Sequence, residues 1–203
     1  MRADKSVVGV DLGVTALATL SDGTPGIVAP KPLGRSLKKL RRLSRALSRK
    51  QRGSHNRAMA RTKLARLHAR IAQVRSDALH KLTTYLTRYR TIVIEDLNVA
   101  GMLANRRLSR AIADVGFFEF RRQLAYKAAM AGSRVIVADR WFASSKLCST
   151  CGAKNEILTL AERTWICPSC GSCLDRDRNA AVNLARYAES SPASACGAEG
   201  SGD

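Results

Sequence analysis

From Gly23 to Ser76 the chain contains not one Asp or Glu, yet the same stretch carries sixteen Lys or Arg. A solvated helix face normally mixes both signs, so the missing acids argue against plain solvation and for contact with a polyanion, nucleic acid first among them. This stretch holds most of the net charge of +19, and the rest of the sequence is nearly neutral. Long apolar runs are also missing. None approaches the roughly 20 residues that cross a bilayer, which excludes a membrane-spanning helix. The N-terminus lacks an apolar stretch of signal-peptide length, since Asp4 and Asp11 interrupt it. The compartment is therefore expected to be reducing, that is, cytoplasmic and close to the nucleoid. Aromatics are few, and no internal repeat is visible. With 45% hydrophobic and 25% charged residues, a chain of 203 suffices for one ordinary core and a small satellite module.

Elements follow from periodicity. Ser6 to Val14 (SVVGVDLGV) reads as a buried strand and Thr15 to Leu20 as the next, with Ser21-Asp22-Gly23 as a hairpin turn. A short third strand over Gly26 to Ala29 completes a meander that Pro30 and Pro32 end. The period then becomes helical. Leu37, Leu40, Ser44 and Leu47 share one face; after Gly53-Ser54, so do Leu64, Leu67, Ile71, Val74, Ala78 and Leu82. Two antiparallel basic helices are expected, their leucines serving packing. Thr91 to Ile94 is a β-branched strand, Val115 to Met130 an amphipathic helix closed by Gly132, and Arg134 to Ala138 another buried strand. Asp177 to Ala188 is a last helix, and the Ser/Ala/Gly-rich tail from Glu189, with Cys196 as a free thiol, reads as disordered. Strands alternating with helices after an antiparallel meander predict an α/β protein with a mixed sheet and helices on its faces.

Cys148-x2-Cys151 and Cys167-x2-Cys170, fifteen residues apart, have the spacing of a four-cysteine zinc site. Each pair makes a tight knuckle with its thiolates on one side, and Gly152 and Gly171 permit the left-handed backbone that follows. Disulfides or inert thiols are the competing reading, which a reducing compartment disfavours. Cys173 also pairs with Cys170 at the right spacing, but Cys170, followed by Gly171, repeats the pattern of the first knuckle. Four thiolates fill the coordination sphere, so the zinc is expected to be structural. Ile157 to Ile166 is expected to supply the hairpin of the ribbon, with Trp165 packing it.

Asp11 ends the first strand, Glu95 ends a later one, and Asp175 and Asp177 open the last helix. Carboxylates at strand ends behind apolar residues are poorly explained by packing. Their convergence would make an oxygen-rich site for hard divalent cations, Mg²⁺ with Mn²⁺ as the alternative. A pair of such ions can activate water and stabilise a leaving oxygen in phosphodiester hydrolysis. Singly each motif is ambiguous: GVDLGV also resembles the phosphate loop of sugar-kinase and actin-like ATPases, and an acid after a strand can simply cap a helix.

Together these motifs resemble the TnpB family, transposon-encoded OrfB-type proteins related to type V CRISPR effectors. GVDLGVTALAT is similar to the first RuvC motif and IVIEDLNVAGM to the second. SSKLCSTCG and WICPSCG resemble the zinc ribbon, and LDRDRNAAVNLAR the third motif. The resemblance implies an RNase H-like (RuvC) fold and a two-metal DNA endonuclease with Asp11, Glu95 and Asp177 as catalytic magnesium ligands, Asp175 being a neighbour of the last. It divides the chain into a core over 1–145 with a basic helical insert at 33–90, a ribbon over 146–174, the third motif over 175–188 and the tail over 189–203. It implies DNA and a guide RNA as partners, and a transposase encoded by the same element. Asp77, His80 and Lys81 match the family's helical stretch as structural or nucleic-acid contacts. Family members carry a large N-terminal region ahead of the first motif, whereas five residues precede the first strand here. The sequence is thus expected to be a fragment, a naturally truncated copy or a stand-alone nuclease domain, and a catalytically idle binding remnant or a transposition accessory factor is the alternative function.

Phosphate contacts are expected from Arg35, Lys38, Lys39, Arg41, Arg42, Arg45, Arg49, Lys50, Arg61, Lys63, Arg66 and Arg70. His55 and His68 lie in these helices without ligand spacing to any acid. Trp141-Phe142 is expected to be core, with base stacking as the rival reading.

Overall fold

The computed structural model describes residues 5–159 and 161–190. Strands β1 (Lys5–Leu12), β2 (Ala16–Leu20) and β3 (Ile27–Val28) form the expected antiparallel meander, and β4 (Tyr89–Glu95) and β5 (Arg134–Ala138) add to β1 in parallel. The sheet order is β3-β2-β1-β4-β5. Central β1 and β4 are covered on both faces, so VVGV and TIVI read as continuous apolar runs. Arg134–Ala138 has the composition of a buried strand but lies at the sheet's edge, with Arg134 and Val137 exposed.

Helices α1 (Pro32–Ser48) and α2 (His55–Leu86) make the predicted hairpin, with Gly53 turning it at φ 81°. Pro32 ends the meander by opening α1 at its first turn, where a missing N–H costs nothing. The backbone amides of Leu33 and Gly34 donate to the buried carboxylate of Asp114, each at 2.8 Å, which anchors the helix to the core. Beyond Pro32 nothing in α1 is buried, and in α2 burial begins at Leu67. The hairpin therefore leaves the core as a basic arm. Its leucines at 37, 40, 43 and 47 are half-buried on α1's inner side.

Two short helices escape the periodicity argument, α3 (Val99–Ala104) and α4 (Ser109–Val115), because six or seven residues show no clear period. Gly116, at φ 78°, separates α4 from α5 (Phe117–Ala131), so the helix expected from Val115 begins two residues later. Gly132 closes α5 in the left-handed region, as expected.

The two faces of the sheet have different covers. Val8, Val10, Ile92 and Ile94 pack with Leu79, Leu82 and Leu86 of α2 and with Phe117, Phe120 and Leu124 of α5. On the opposite face Val93, with Val7 and Ile136, meets Leu184 of α6 (Arg176–Ser190). A side chain at Gly9 would collide with the backbone of Ala181 and Ala185, so only glycine lets α6 rest directly on β1. That helix runs on through Glu189 to Ser190, where a disordered tail was expected. The rest of that tail, with Cys196, lies outside the described residues.

The ribbon is a two-stranded sheet, β6 (Thr164–Ile166) antiparallel to β7 (Cys173–Asp175). The hairpin was expected between the knuckles; instead the second knuckle is itself the turn of the hairpin. Trp165 packs with Cys148, Leu158 and Cys167, as predicted.

Candidate active site

Strand alternation sends every second residue to one face. In β1 Val7, Gly9 and Asp11 share the α6 face, and in β4 Val93 and Glu95 do. Val10 pairs with Ile94, so Asp11 and Glu95 are neighbours one residue further on, at the same end of the sheet. Asp177 enters from above in the first turn of α6. The three line one cleft of about 280 Å³ together with Gly13, Arg163 and Arg176. Asp175 stands apart from this cleft. Its carboxylate accepts the Arg178 amide at 2.8 Å and caps α6.

The electrostatics fit convergence. Burial, followed by the charges of Glu95 and Asp177, pushes the Asp11 carboxyl well above its usual range. Glu95 is also raised, mainly by burial, while the Ser144 hydroxyl donating to its Oε1 and the charge of Arg176 act the other way. Asp177 is held between two guanidinium groups, Arg163 Nη1 at 3.1 Å and Arg176 Nη2 at 3.3 Å. Three side chains of this site were missed from sequence. Ser144 and Arg163 give no local signal, and Arg176 is hidden between the two acids of the third motif.

Two buried amides on α6 bind the segment that carries Ser144. Asn183 Nδ2 donates to the Ser144 and Leu147 carbonyls at 2.8 and 2.7 Å. Asn179 Nδ2 donates to Leu147 O at 2.7 Å, and its Oδ1 accepts the Ser149 amide at 2.8 Å. This segment leads directly into the first cysteine knuckle.

Among the described residues Cys148, Cys151, Cys167 and Cys170 form a metal-capable group, their sulfurs all within 4.8 Å of one another. Gly152 and Gly171 stand at φ 78° and 73°, and their amides donate to the Cys148 and Cys167 carbonyls at 2.8 and 2.9 Å. Those bonds close the two knuckles. Contacts with Ser172 hold the Cys170 thiol down at about 6, while hydrogen bonds with the other cysteines push Cys151 up to about 12, so the four sulfurs compete for charge that a bound cation would stabilise on all of them. Cys173, the alternative to Cys170, is exposed on β7 and does not join the group.

Of the twelve basic residues expected to meet phosphate, Arg35, Lys38, Lys39, Arg42, Arg45 and Arg49 line one groove of about 660 Å³ along α1. Their three-to-four spacing puts them in a single stripe. Arg41 turns toward α2, where it lines a crevice with Leu64 and His68. Arg61 lies at the hairpin tip near Arg57, and Lys50, Lys63, Arg66 and Arg70 are exposed elsewhere on the arm. Asp77 and Lys81 form an exposed pair at 2.8 Å, and the His80 carbonyl accepts Lys127 Nζ at 2.9 Å. Trp141 and Phe142 part company. Phe142 packs on Tyr187 with ring centroids 4.9 Å apart, whereas Trp141, expected in the core, is 86% exposed.

Comparison with known proteins follows the same division. The family OrfB_IS605, described as "Probable transposase", matches residues 2–106, and the Cas12f1-like TNB domain matches 117–184. The chain belongs to the OrfB_IS605 (TnpB) family. The first match carries Asp11 and Glu95; the second carries the four cysteines and Asp177. A TnpB-family relative from Streptomyces pristinaespiralis, named "Putative RNA-guided DNA endonuclease", is 49% identical over 96% of this chain and 48% of its own. Escherichia coli InsQ, of the same printed description, is 38% identical over 88% of this chain and 48% of its own. The chain thus spans about half the length of these curated relatives. A cryo-EM structure of a Cas12f1–sgRNA–target DNA complex shares the fold at a TM-score of 0.60 and 17% identity, over 88% of this chain and 49% of that one. No helix among the described residues is long and apolar enough to cross a membrane.

Proposed function

We propose that this chain is the RuvC-type, RNase H-like nuclease core of an RNA-guided DNA endonuclease, hydrolysing DNA phosphodiester bonds with divalent metal held by Asp11, Glu95 and Asp177. The observation that carries the reading is the convergence of these carboxylates, from three separate elements, in one cleft that also holds Arg163 and Arg176. A three-stranded meander extended by two parallel strands, with the closing helix laid on β1, is the sheet arrangement such a core requires.

The donor set suits Mg²⁺ or Mn²⁺, since all three ligands are hard oxygens. Burial and mutual repulsion oppose ionisation of Asp11 and Glu95, and a bound dication would offset both. A bound metal would supply Lewis-acid polarisation of the phosphate and activation of water. The protein's own groups do the rest. Ser144 orients Glu95 and favours its ionised form. Arg163 and Arg176 hold Asp177 between them and face the phosphate whose charge grows in the transition state. The four thiolates would close around zinc as a structural centre and leave no open position for chemistry.

The stripe on α1 would track a nucleic-acid backbone without reading sequence, because guanidinium and ammonium groups meet phosphates that are alike in every sequence. DNA and a guide RNA are the proposed partners, in keeping with the names of the relatives. The deciding experiment is cleavage of single-stranded DNA by the zinc-loaded chain with and without Mg²⁺, beside Asp11→Ala. Cleavage that requires both the metal and Asp11 is expected. Cleavage by Asp11→Ala at the native rate would overturn the assignment of the site.

A further inference from the structure

We propose that Trp141 is a stacking platform for an unpaired base of the DNA strand entering the carboxylate cleft. This rests on the nucleic-acid reading above. Trp141 is 86% exposed, although an indole is among the side chains that gain most from leaving water.

Its position points to the occupant. Ala138, the last residue of β5, is the register partner of Glu95, so the loop after β5 leaves the sheet at the same end as the carboxylates. Three residues past Trp141 the chain turns inward, and buried Ser144 donates to Glu95. One short loop therefore presents an indole outward and a hydroxyl to the site.

The backbone of the loop that carries it is held in place. The Trp141 amide donates to Asp139 Oδ1 at 2.7 Å, the Phe142 amide donates to Asp139 O at 3.0 Å, and the Phe142 ring is fixed on Tyr187. Cationic groups also lie on this side of the loop. Arg140, the adjacent residue, and Arg121 share one carboxylate, Asp96, at 2.7 and 3.0 Å. Both guanidinium groups remain about half exposed, at 52% and 51%, and so stay open to a further anion such as a phosphate. A single DNA strand offers both complements, a phosphate for the cation and an unpaired base for the ring.

The sequence contains two tryptophans. Trp165 is only 5% exposed inside the ribbon, so quenching by a ligand reports Trp141. The zinc-loaded chain, in magnesium-free buffer, is titrated with single-stranded DNA, with RNA of the same sequence and with an abasic DNA backbone; binding is followed separately by anisotropy. We expect DNA to quench emission in step with binding and the abasic strand to bind without quenching. Trp141→Ala should weaken DNA binding about five- to a hundredfold, at unchanged zinc content, while Trp141→Phe keeps most of the affinity. DNA binding with unaltered emission, native affinity in Trp141→Ala, or quenching by RNA alone would overturn the proposal. If no strand binds at all, the nucleic-acid reading falls and takes this one with it.

Discussion

Arg163 Nη1 lies 3.1 Å from Asp177 Oδ1 and 3.2 Å from Oδ2, tying the ribbon to the first turn of α6. The arginine side chain is 55% exposed, so the pair contributes little stability and its effect is on orientation and charge. Arg163→Ala is expected to fold normally and to keep its zinc, losing less than about 1 kcal/mol in urea unfolding. Cleavage should fall on the order of 10²–10³-fold, the usual effect of removing one preorganised charge partner of a transition state.

Asp11 gives a pH prediction whose sign follows from linkage. Burial and then the neighbouring carboxylates raise its folded pKa above the unfolded value. Below about pH 3.9 both states are protonated and nothing is lost. As pH rises past that value, ionisation costs folding stability, and the cost grows until the folded pKa is passed. Asp11→Asn should therefore melt a few degrees higher than the native chain at neutral pH without Mg²⁺. Near pH 3 the two should melt together. Differential scanning calorimetry at both pH values, repeated with Mg²⁺ to remove the neutral-pH gain, checks this.

Metal analysis should find one zinc per chain, bound by Cys148, Cys151, Cys167 and Cys170. Cys167→Ser is expected to lose it and to expose Trp165, shifting that indole's emission to the red. Cys173→Ser should leave zinc and emission unchanged, because Cys173 stands outside the sulfur cluster.

Asn183→Leu keeps the side-chain volume close to native and removes one donor shared by two carbonyls. Leu147 O keeps its 2.7 Å bond from Asn179, but Ser144 O is left with a single long contact of 3.5 Å, and a buried acceptor so deprived costs roughly 1–3 kcal/mol. Chemical denaturation should show a loss in that range. Cleavage should fall further than stability accounts for, since the freed segment carries the Ser144 hydroxyl away from Glu95.

Replacing Arg35, Lys38, Arg42 and Arg45 together by Gln removes four positions of the α1 stripe. Nucleic-acid affinity should drop for all sequences alike. The slope of log K against log salt should flatten by about 0.7–0.9 for each phosphate that is no longer neutralised. Filter binding over a range of NaCl concentrations provides the slope. An unchanged slope would count against this stripe as the binding face.

Much of this was legible in the chain because it rests on short-range period. VVGVD and TIVIE alternate about a glycine and a run of branched residues, and that alone sets Asp11 and Glu95 on a common face once the strands pair. Cys-x2-Cys-Gly is equally local, since the knuckle is built from its own backbone. What escaped depends on contacts between distant segments. RVIVA has the same composition in a centre or at an edge, and nothing within five residues says which. Trp141 and Phe142 are adjacent and apolar alike, but Phe142 finds Tyr187, forty-five positions on, and Trp141 finds nothing comparable. Arg163 sits in a ribbon loop and looks like any surface arginine until β7 brings Asp177 beside it.

The order of these parts along the chain has a temporal consequence. A ribosome releases Asp11, then the basic arm, then Glu95, then both cysteine knuckles, and only afterwards Asp177. The basic arm, the proposed nucleic-acid contact, therefore exists well before the third carboxylate, and α6 can seat on Gly9 only after the ribbon has left the exit tunnel. On the proposed function, the carboxylate site is therefore incomplete until α6 has been made.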